Sequence, residues 1–236
     1  MLYRYETHCH ANLCSRCAHS TPEEMVRAYK AAGFAGMVLT DHFIHGYTNV
    51  DQALPWDQRM HRYYDAYLLA KAEGDKLDLD VIFGIEHAYG GGLEVLVYGI
   101  DLDFLLAHPE IETASLEEFS ALIHSAGGIL IQAHPYRYGG WEVALRPDLI
   151  DGIEIFNAGN ENLKNRMAFQ KAQEINCAVT AGADSHAVWE PRVGTAGIAL
   201  PYRISDGQSL VEALKKGDHC LIISGQIYPH VTEEVL

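Results

Sequence analysis

Histidine and acidic residues stand at the ends of five apolar, strand-like segments of this sequence. The first segment, residues 2–7, is followed by His8 and His10, and side chains two residues apart on a strand point to the same side. Imidazole and carboxylate groups are ligands that suit zinc, manganese or iron. In a parallel barrel the C-terminal ends of the strands converge on one mouth, where residues far apart in sequence meet. A metal site with several ions is therefore predicted from the segment ends His8-Cys9-His10, Asp41-His42, Glu86-His87, His134 and Asp184-Ser185-His186.

The elements that would position these residues alternate between strands and helices. Thr21 and Glu24 have the spacing of a capping box, Pro22 suits the first helical position, and Gly33 ends the predicted helix. This alternation argues for a parallel sheet and, at this chain length, for a barrel. The other predicted helices cover 56–76, 116–126, 161–175 and 208–216, the last capped by Ser205, and the predicted strands cover 36–40, 81–85, 93–98, 129–133, 151–156, 178–183, 198–200 and 220–223.

Size, charge and cysteine content limit the possible functions. The chain has 236 residues and is interpreted as one domain over 1–236. Its 17 basic and 32 acidic residues give a net charge of −15, which argues against a groove for extended nucleic acid but not against a small phosphorylated substrate. The apolar stretches are too short to span a bilayer, and no secretion signal is visible at the N-terminus. The number of cysteines is odd, at five. Together these features predict a cytoplasmic protein with reduced thiols, and they leave the oligomeric state open.

Six short motifs follow one another along the chain. They are His8-Cys9-His10, Thr21-Pro22-Glu23-Glu24, Thr40-Asp41-His42, Gly84-Ile85-Glu86, Ala133-His134-Pro135 and Asp184-Ser185-His186. In this order they resemble the successive motifs of the PHP (polymerase and histidinol phosphatase) superfamily, over the whole chain. The resemblance implies a distorted (β/α)7 barrel with two or three divalent metal ions at its C-terminal mouth. It also implies hydrolysis of a small phosphomonoester or nucleotide-like substrate by a hydroxide that the metal ions activate.

The same resemblance implies how the ligands would be shared among the ions. One carboxylate, Glu86, would bridge two of them. The implied sets are His8, His10, Glu86 and Asp184 for the first ion, Glu86 and His134 for the second, and His42 and His186 for the third.

At two positions the sequence departs from the commonest family pattern. Glu94 stands where the family often has a histidine, and a carboxylate there would favour manganese or iron over zinc. In the loop after the first motif, the expected aspartate or histidine aligns with Cys17 or, as the alternative, with His19. A Cys17 thiolate would favour zinc at the third site. Glu94 and Cys17 are therefore included among the predicted metal ligands.

Two arginines that follow motif residues are predicted to bind substrate. Arg137 comes three residues after His134, and its planar fork of donors suits a phosphate group. Arg192 follows the last motif and is close enough in sequence to reach the same mouth. The alternative is a surface arginine at the first position and a loop salt bridge at the second. Glu86, His134 and Arg137 are the predicted catalytic residues.

Residues beside the motifs are interpreted as supporting the site or as selecting the substrate. His45 and His87 are expected to play supporting or solvent-facing roles, because a catalytic acid must satisfy strict geometry. Substrate selection is expected from the loops at 46–55, 89–92 and 138–141.

Two other functions remain open from the sequence. An amidohydrolase-type enzyme is one, because paired histidines on a barrel strand also serve the hydrolysis of C–N bonds and carboxylate esters. A metal-binding regulatory module without catalysis is the other, and the departures at Cys17 and Glu94 motivate it. A fold that is shared with an enzyme does not fix the function of a chain.

Overall fold

Ten strands form one curled sheet in the computed structural model, which describes residues 1–138 and 146–236. Each predicted strand is present, but β3 extends five residues beyond its predicted end at 85, β1 extends two residues beyond its predicted end at 7, and one further strand at the C-terminus was not predicted. The strands are β1 (Tyr3–Cys9), β2 (Gly36–Leu39), β3 (Asp80–Gly90), β4 (Leu93–Tyr98), β5 (Ile129–Gln132), β6 (Gly152–Asn157), β7 (Ala178–Gly182), β8 (Gly197–Leu200), β9 (Cys220–Ile223) and β10 (Gln226–Tyr228).

The order of the strands shows how the barrel winds. Neighbouring strands run β10-β9-β8-β1-β2-β3-β4-β5-β6-β7, with β1 to β3 parallel to one another and β5 to β7 likewise parallel. The end of β7 returns to β1, because the Thr7 hydroxyl donates to the carbonyl of Ala181 and the Asp184 amide donates to the carbonyl of His8. The predicted α/β class and distorted (β/α)7 barrel are confirmed. The interpretation of 1–236 as a single domain stays a prediction.

The expectation of a parallel sheet throughout is wrong for β4 and for the last three strands. β4 is antiparallel to both of its neighbours, because the chain turns back after β3 in a hairpin instead of crossing over through a helix. Gly90, Gly91 and Gly92 all have positive φ at this turn, a conformation that residues with a side chain rarely adopt. β8, β9 and β10 pair antiparallel and extend the sheet beyond β1.

The described residues form six α-helices, which connect and cover the strands. α1 packs its buried face, including Met25 and Tyr29, beside β2. None of the helices in the described part of the chain has both the length and the apolar composition needed to cross a bilayer. The helices are α1 (Pro22–Ala31), α2 (Trp56–Leu77), α3 (Leu102–Ala107), α4 (Leu116–Ser125), α5 (Asn162–Ile175) and α6 (Gly207–Lys216).

Local side-chain chemistry explains where two of these helices begin. The capping box predicted for α1 is confirmed, since Thr21 accepts from the Glu24 amide and the Glu24 carboxylate accepts from the Thr21 amide. Ser205 is the wrong residue for the cap of α6. The side chain of Asp206 caps that helix by accepting from the Ser209 amide at 2.8 Å. The short α3 was not predicted.

The strands direct a polar face towards the interior of the barrel mouth. In β6, Ile153 and Ile155 alternate with the buried carboxylate of Glu154, so the acid faces the opposite side from the isoleucines. The register of β1 against β2 shifts between Glu6 and Cys9, and that of β6 against β7 shifts next to Glu154. Such bulges redirect side chains and are frequent beside functional sites. Polar groups are thereby concentrated where the parallel strands end.

Candidate metal centre

The carboxylate of Glu86 lies at the centre of a group of imidazoles at the barrel mouth. Its Oε1 atom is 3.2 Å from His8 Nε2 and 2.9 Å from His134 Nε2. Its Oε2 atom is 2.7 Å from His42 Nδ1 and 3.5 Å from His10 Nε2. All five side chains are buried or nearly so. Residues that are up to 126 positions apart in the sequence therefore meet at one carboxylate, as the ends of parallel barrel strands allow.

Asp184 adds a second carboxylate on the side of β1. Its Oδ1 atom is 3.5 Å from His8 Nε2 and 3.2 Å from His10 Nε2. The two Nε2 atoms lie 3.2 Å apart, so both imidazoles face the same side of the chain, as their spacing predicted. Asp184 and the histidine pair thus present three ligand atoms towards one point.

Glu94 adds a third carboxylate from β4. The antiparallel hairpin pairs Glu94 with Ala88 and turns its side chain towards the cluster. Its Oε2 atom is 3.3 Å from His134 Nε2, and its Oε1 atom is 3.5 Å from His42 Nδ1. Glu94 therefore occupies a ligand position, and its role as a ligand stays a prediction.

A third group of donors is formed around His186. The ring of His10 lies between those of His186 and His42, at centroid distances of 4.3 and 4.5 Å. Burial raises the pKa of the Cys17 thiol, but hydrogen bonds to His186 and His42 outweigh it and lower that pKa to about 7. The structure thus brings Cys17 next to both imidazoles, whereas His19 is exposed; neither residue belongs to the four ligand sets below.

The donor atoms fit divalent metal ions. Glu86 Oε2 and His42 Nδ1 are buried, close together and not aligned for a hydrogen bond to any described residue, which is expected where an ion completes their coordination. His42 stands beside Glu86 and Glu94 as well as beside His186, so it is shared more widely than the implied sets suggested. Four sets have ligand atoms within 4.8 Å of one another: His8, His10 and Asp184; His8, Glu86 and His134; His10, His42 and His186; and His42, Glu86 and Glu94.

Charge compensation sets the protonation of this cluster. Burial lowers the pKa of His8, but the charges of Glu154, Asp184 and Glu86 outweigh it and raise that pKa well above its ordinary value. Burial likewise lowers the pKa of His42, yet the charge of Glu86 raises it to about 11. Burial raises the pKa of Glu86, but the neighbouring imidazolium charges hold it well below its ordinary value. Metal ligation requires neutral imidazoles, so binding of an ion releases these protons.

Glu154 holds the ligands from behind. Its Oε1 atom is 2.9 Å from His8 Nδ1, which leaves Nε2 of that imidazole directed at the cluster. Its Oε2 atom accepts from the backbone amide of His134 at 2.8 Å and from Asn157 Nδ2 at 2.9 Å. A carboxylate behind a ligating histidine fixes the ring and its tautomer. Glu154 therefore fixes two predicted ligands that come from different strands.

Ser15 and Asp41 perform a similar task on the other side. The Ser15 hydroxyl donates to Asp41 Oδ1 at 2.6 Å, lies 3.0 Å from His10 Nδ1 and accepts from the His42 amide. Burial raises the pKa of Asp41 to about 6 despite its hydrogen bond from Ser15. This chain of hydrogen bonds orients His10 and connects the ends of β1 and β2.

The backbone is strained at two predicted ligands. His134 has φ of 24° and Asp184 has φ of 52°, both in the left-handed region that residues with a side chain seldom occupy. Each such residue costs on the order of 1–3 kcal/mol and persists where the surroundings determine it. Strain of this kind clusters at functional sites.

Two arginines lie against the Asp184 side of the cluster. The guanidinium of Arg137 forms an ion pair with Asp184, and it donates to Asn160 Oδ1 at 2.9 Å and to Asn157 Oδ1 at 2.7 Å. About a fifth of the Arg137 side chain, 20%, remains exposed. Asn157 is thus the residue that joins Arg137 to Glu154.

Arg192 lies beside the first arginine. It donates to Glu190 at 2.7 Å, which is the loop salt bridge that was its alternative interpretation. A Cβ atom at Gly159 would lie 2.3 Å from Arg192 Nη1 and 3.1 Å from Arg137 Nη2. Both guanidinium groups therefore pass close to the same glycine, and a side chain there would displace them.

Two known family models match the sequence of this chain. Residues 6–158 match the family model described as PHP domain, which is more than half of the chain. The chain belongs to the PHP family. Residues 162–219 match a second model, described as PHP-associated. The resemblance seen in the motifs is confirmed, and the chain is a PHP-family metal-dependent hydrolase.

Solved structures share the fold of this PHP-family chain at low sequence identity. An amidohydrolase from Chromobacterium violaceum, with bound sulfate and no metal, has a TM-score of 0.62 at 17% identity, covering 89% of this chain and 96% of that chain. A two-domain protein from Bacteroides vulgatus that contains a predicted PHP-like metal-dependent phosphoesterase has a TM-score of 0.66 at 15% identity, covering 96% and 66%. A lesion-specific endonuclease from Pyrococcus furiosus has a TM-score of 0.63 at 12% identity, covering 92% and 56%. A search of curated proteins gave no match.

The structure gathers all of the sequence-predicted ligands at one mouth, and it adds groups that the sequence did not single out. Glu154 is the most important of these, and its signal was a lone acid within an apolar strand. His87, in contrast, is buried against the ring of Phe119 at 4.1 Å, and burial lowers its pKa to about 3. Being neutral near pH 7, His87 is not suited to donate a proton. The assignment of individual ligands stays a prediction.

Replacing Glu154 by glutamine should lower the affinity for divalent metal by about 10–100-fold, the usual effect of losing such a partner. The amide group of the new glutamine would direct an N–H donor at one of the two donors that the Glu154 carboxylate now accepts from, the His134 backbone amide or the His8 imidazole. Chelator competition measures the affinity. Thr180→Val is the matched control, because the buried Thr180 hydroxyl has no hydrogen-bond partner among the described residues. Equal metal affinity in Glu154→Gln and the wild type would contradict this role.

Replacing Cys17 by serine should leave two ions tightly bound and weaken only a third. The reason is that Cys17 contacts His42 and His186, which form a ligand set with His10 that does not include Glu86. Elemental analysis after dialysis measures the stoichiometry. His19→Gln serves as the control and should behave as wild type. Loss of all metal from Cys17→Ser, or no loss at all, would show that Cys17 is not a ligand confined to the third site.

Proposed function

We propose that this chain is a phosphoesterase that hydrolyses a small phosphomonoester or nucleotide-like substrate. The observation that carries the proposal is the pair of arginines, Arg137 and Arg192, beside the donor cluster at Gly159. Guanidinium groups suit the geometry and charge of phosphate oxygens. A cluster that binds cations and is flanked by two more cationic groups favours a substrate carrying a concentrated negative charge.

The residues divide into those that would hold metal and those that would hold substrate. Zinc, manganese or iron ions, two or three in number, would supply Lewis acidity, a nucleophile at neutral pH and charge neutralisation of the phosphoryl group. Glu86 would bridge two of these ions. The predicted metal ligands are His8, His10, Cys17, His42, Glu86, Glu94, His134, Asp184 and His186.

Arg137 would stabilise negative charge on the transferred phosphoryl oxygens. Its orientation is fixed by Asn157 and Asn160, so little reorganisation is needed when charge develops. The guanidinium has five N–H donors, and its contacts with Asp184, Asn157 and Asn160 leave donors for a substrate. Arg192 would add a second charge from the adjacent loop.

An amidohydrolase activity is the second candidate. The similar structure from Chromobacterium violaceum is described as an amidohydrolase, and its fold alone is what this chain shares. Parallel assays of phosphate esters and of carboxylate esters and amides separate the two reactions. Full metal occupancy without turnover in either panel would favour the inactive regulatory module.

The proposal also includes a small substrate, as opposed to extended nucleic acid, and a cytoplasmic location. The net charge of −15 opposes long-range attraction of a nucleic-acid backbone. The similar endonuclease from Pyrococcus furiosus nevertheless shows that proteins of this fold include one that cuts nucleic acid. A comparison of mononucleotide esters with single- and double-stranded DNA therefore belongs in the first assay.

Arg137→Ala should keep full metal content but reduce turnover of phosphate esters by roughly one to three orders of magnitude, the effect of losing a charge-stabilising donor. Arg137→Lys should recover part of it, because a point charge does not reproduce the planar fork. Steady-state kinetics and inhibition by inorganic phosphate provide the measurements. Arg203→Ala, which removes a surface ion pair with Asp78 and Asp80, is the control and should retain activity. Identical phosphate inhibition in Arg137→Ala and wild type would place Arg137 off the substrate path.

A further inference from the structure

A cleft of about 670 Å³ opens beside the metal centre on the side of Glu94. It lies between the loop after β2, the hairpin that joins β3 to β4 and the start of α4. Two of the loops expected to select the substrate, 46–55 and 89–92, contribute to it, whereas residues 139–141 of the third lie outside the described residues. The lining comprises His45, Gly46, Tyr47, His87, Ala88, Tyr89, Gly90, Gly92, Glu94, Ala114, Ser115 and Leu116.

The cleft and the arginines lie at different ends of the donor cluster. Arg137 contacts Asp184, which neighbours the β1 histidines. Glu94 contacts His134 and His42 and also lines the cleft. A phosphoryl group bound between the arginines and the metal ligands would therefore direct its ester substituent towards the cleft.

The chemistry of the lining restricts what that substituent is. Among the described residues that line the cleft, none is a lysine or an arginine, and Glu94 is the one carboxylate. A second anionic group on the substrate would lose hydration there without meeting a lysine or an arginine of the lining. Tyr47, Tyr89 and His45 supply aromatic rings, which pack against planar apolar groups.

The walls of the cleft are held in place by contacts outside it. The His45 imidazole bonds to the carbonyl of Glu112 at 2.7 Å, and the Tyr89 hydroxyl donates to Gln132 at 2.6 Å. His87 stacks on Phe119 beneath them. Tyr47 is 56% exposed, and the Arg16 guanidinium lies over its ring at 5.2 Å from the centroid, so a bound group would cover the remaining exposed part of the ring. A preformed cleft of this kind binds a ligand without first ordering its own side chains.

We propose that this cleft is the leaving-group subsite of the enzyme and that it selects an uncharged planar ring. The proposal rests on the proposed phosphoesterase function and adds the class of ester that the enzyme prefers. Tyr47 and Tyr89 are the specificity-determining residues, and the exclusion of a second anion follows from the lack of basic residues in the lining described above.

Esters with alcohols of similar acidity test the subsite. The metal-loaded enzyme is assayed with ethyl, benzyl and 4-carboxybenzyl phosphate. Benzyl phosphate should exceed the other two in kcat/KM by about tenfold or more, a difference of the size expected for filling an apolar pocket. Ala114→Phe, which fills the cleft away from the ligands, should remove this preference.

Two further variants and a binding measurement show whether the effect of Ala114→Phe is specific to this cleft. Ala121→Phe adds the same ring on α4 outside this cleft and should leave the preference intact. Tyr47→Ala, at an exposed position, should reduce the preference without affecting the fold. Benzyl alcohol, followed by ligand-detected NMR, should bind wild type and Ala121→Phe but not Ala114→Phe, which provides a readout independent of turnover.

The outcomes separate failure of the subsite from failure of the proposed function. Equal kcat/KM for ethyl, benzyl and 4-carboxybenzyl phosphate in wild type would overturn the subsite and leave the phosphoesterase function standing. A preference for benzyl phosphate that survives in Ala114→Phe would also overturn it. No hydrolysis of any phosphate ester by the metal-loaded wild type would overturn the proposed function, and the leaving-group role with it.

Discussion

A carboxylate buried among imidazoles is the interaction on which the rest of this structure depends. Glu86 meets four histidines through its two oxygens in the protein interior. An ionised group in such surroundings costs several kcal/mol unless opposite charge compensates it. Protons on His8, His42 and His134 provide this compensation, as the raised pKa values of these imidazoles show. Divalent ions would replace the protons and concentrate the same positive charge where a substrate approaches.

The barrel supports this arrangement by connecting the ends of distant strands. Glu6 Oε1 accepts from the amides of Thr7, His8 and Ala183, so β1 and β7 end side by side. Glu154 joins β6 to His8 and His134 in the same way. These buried hydrogen bonds hold the strained backbone at the ligands. The scaffold thus fixes the ligands rigidly, while the cleft residues stand on the loops and the hairpin around it.

Most of the candidate ligands could be singled out from the sequence because they stand at strand ends, whereas Glu94 and Cys17 were added only by the family resemblance. The two-residue spacing of His8 and His10, for example, is sufficient to predict that their side chains point to the same side of the strand. The supporting residues were not, since Glu154 acts on His8 across 146 positions and only the fold brings them together. The hairpin at β4 was missed because strand–helix alternation was extended through it, although the three consecutive glycines 90–92 signalled a turn. The cap of α6 was predicted one residue early, because the exact boundaries of helices are the features that a sequence predicts least well.

The metal content of the wild type and of Glu86→Gln, measured side by side, tests the central claim most directly. Glutamine keeps the size of the side chain but removes the charge that lies between the histidines. With the fold verified by circular dichroism, the wild type should retain two or more ions per chain, and Glu86→Gln should lose most of the ions that share this carboxylate. Equal stoichiometry and equal affinity in the two proteins would show that Glu86 bridges no metal, and would contradict the account.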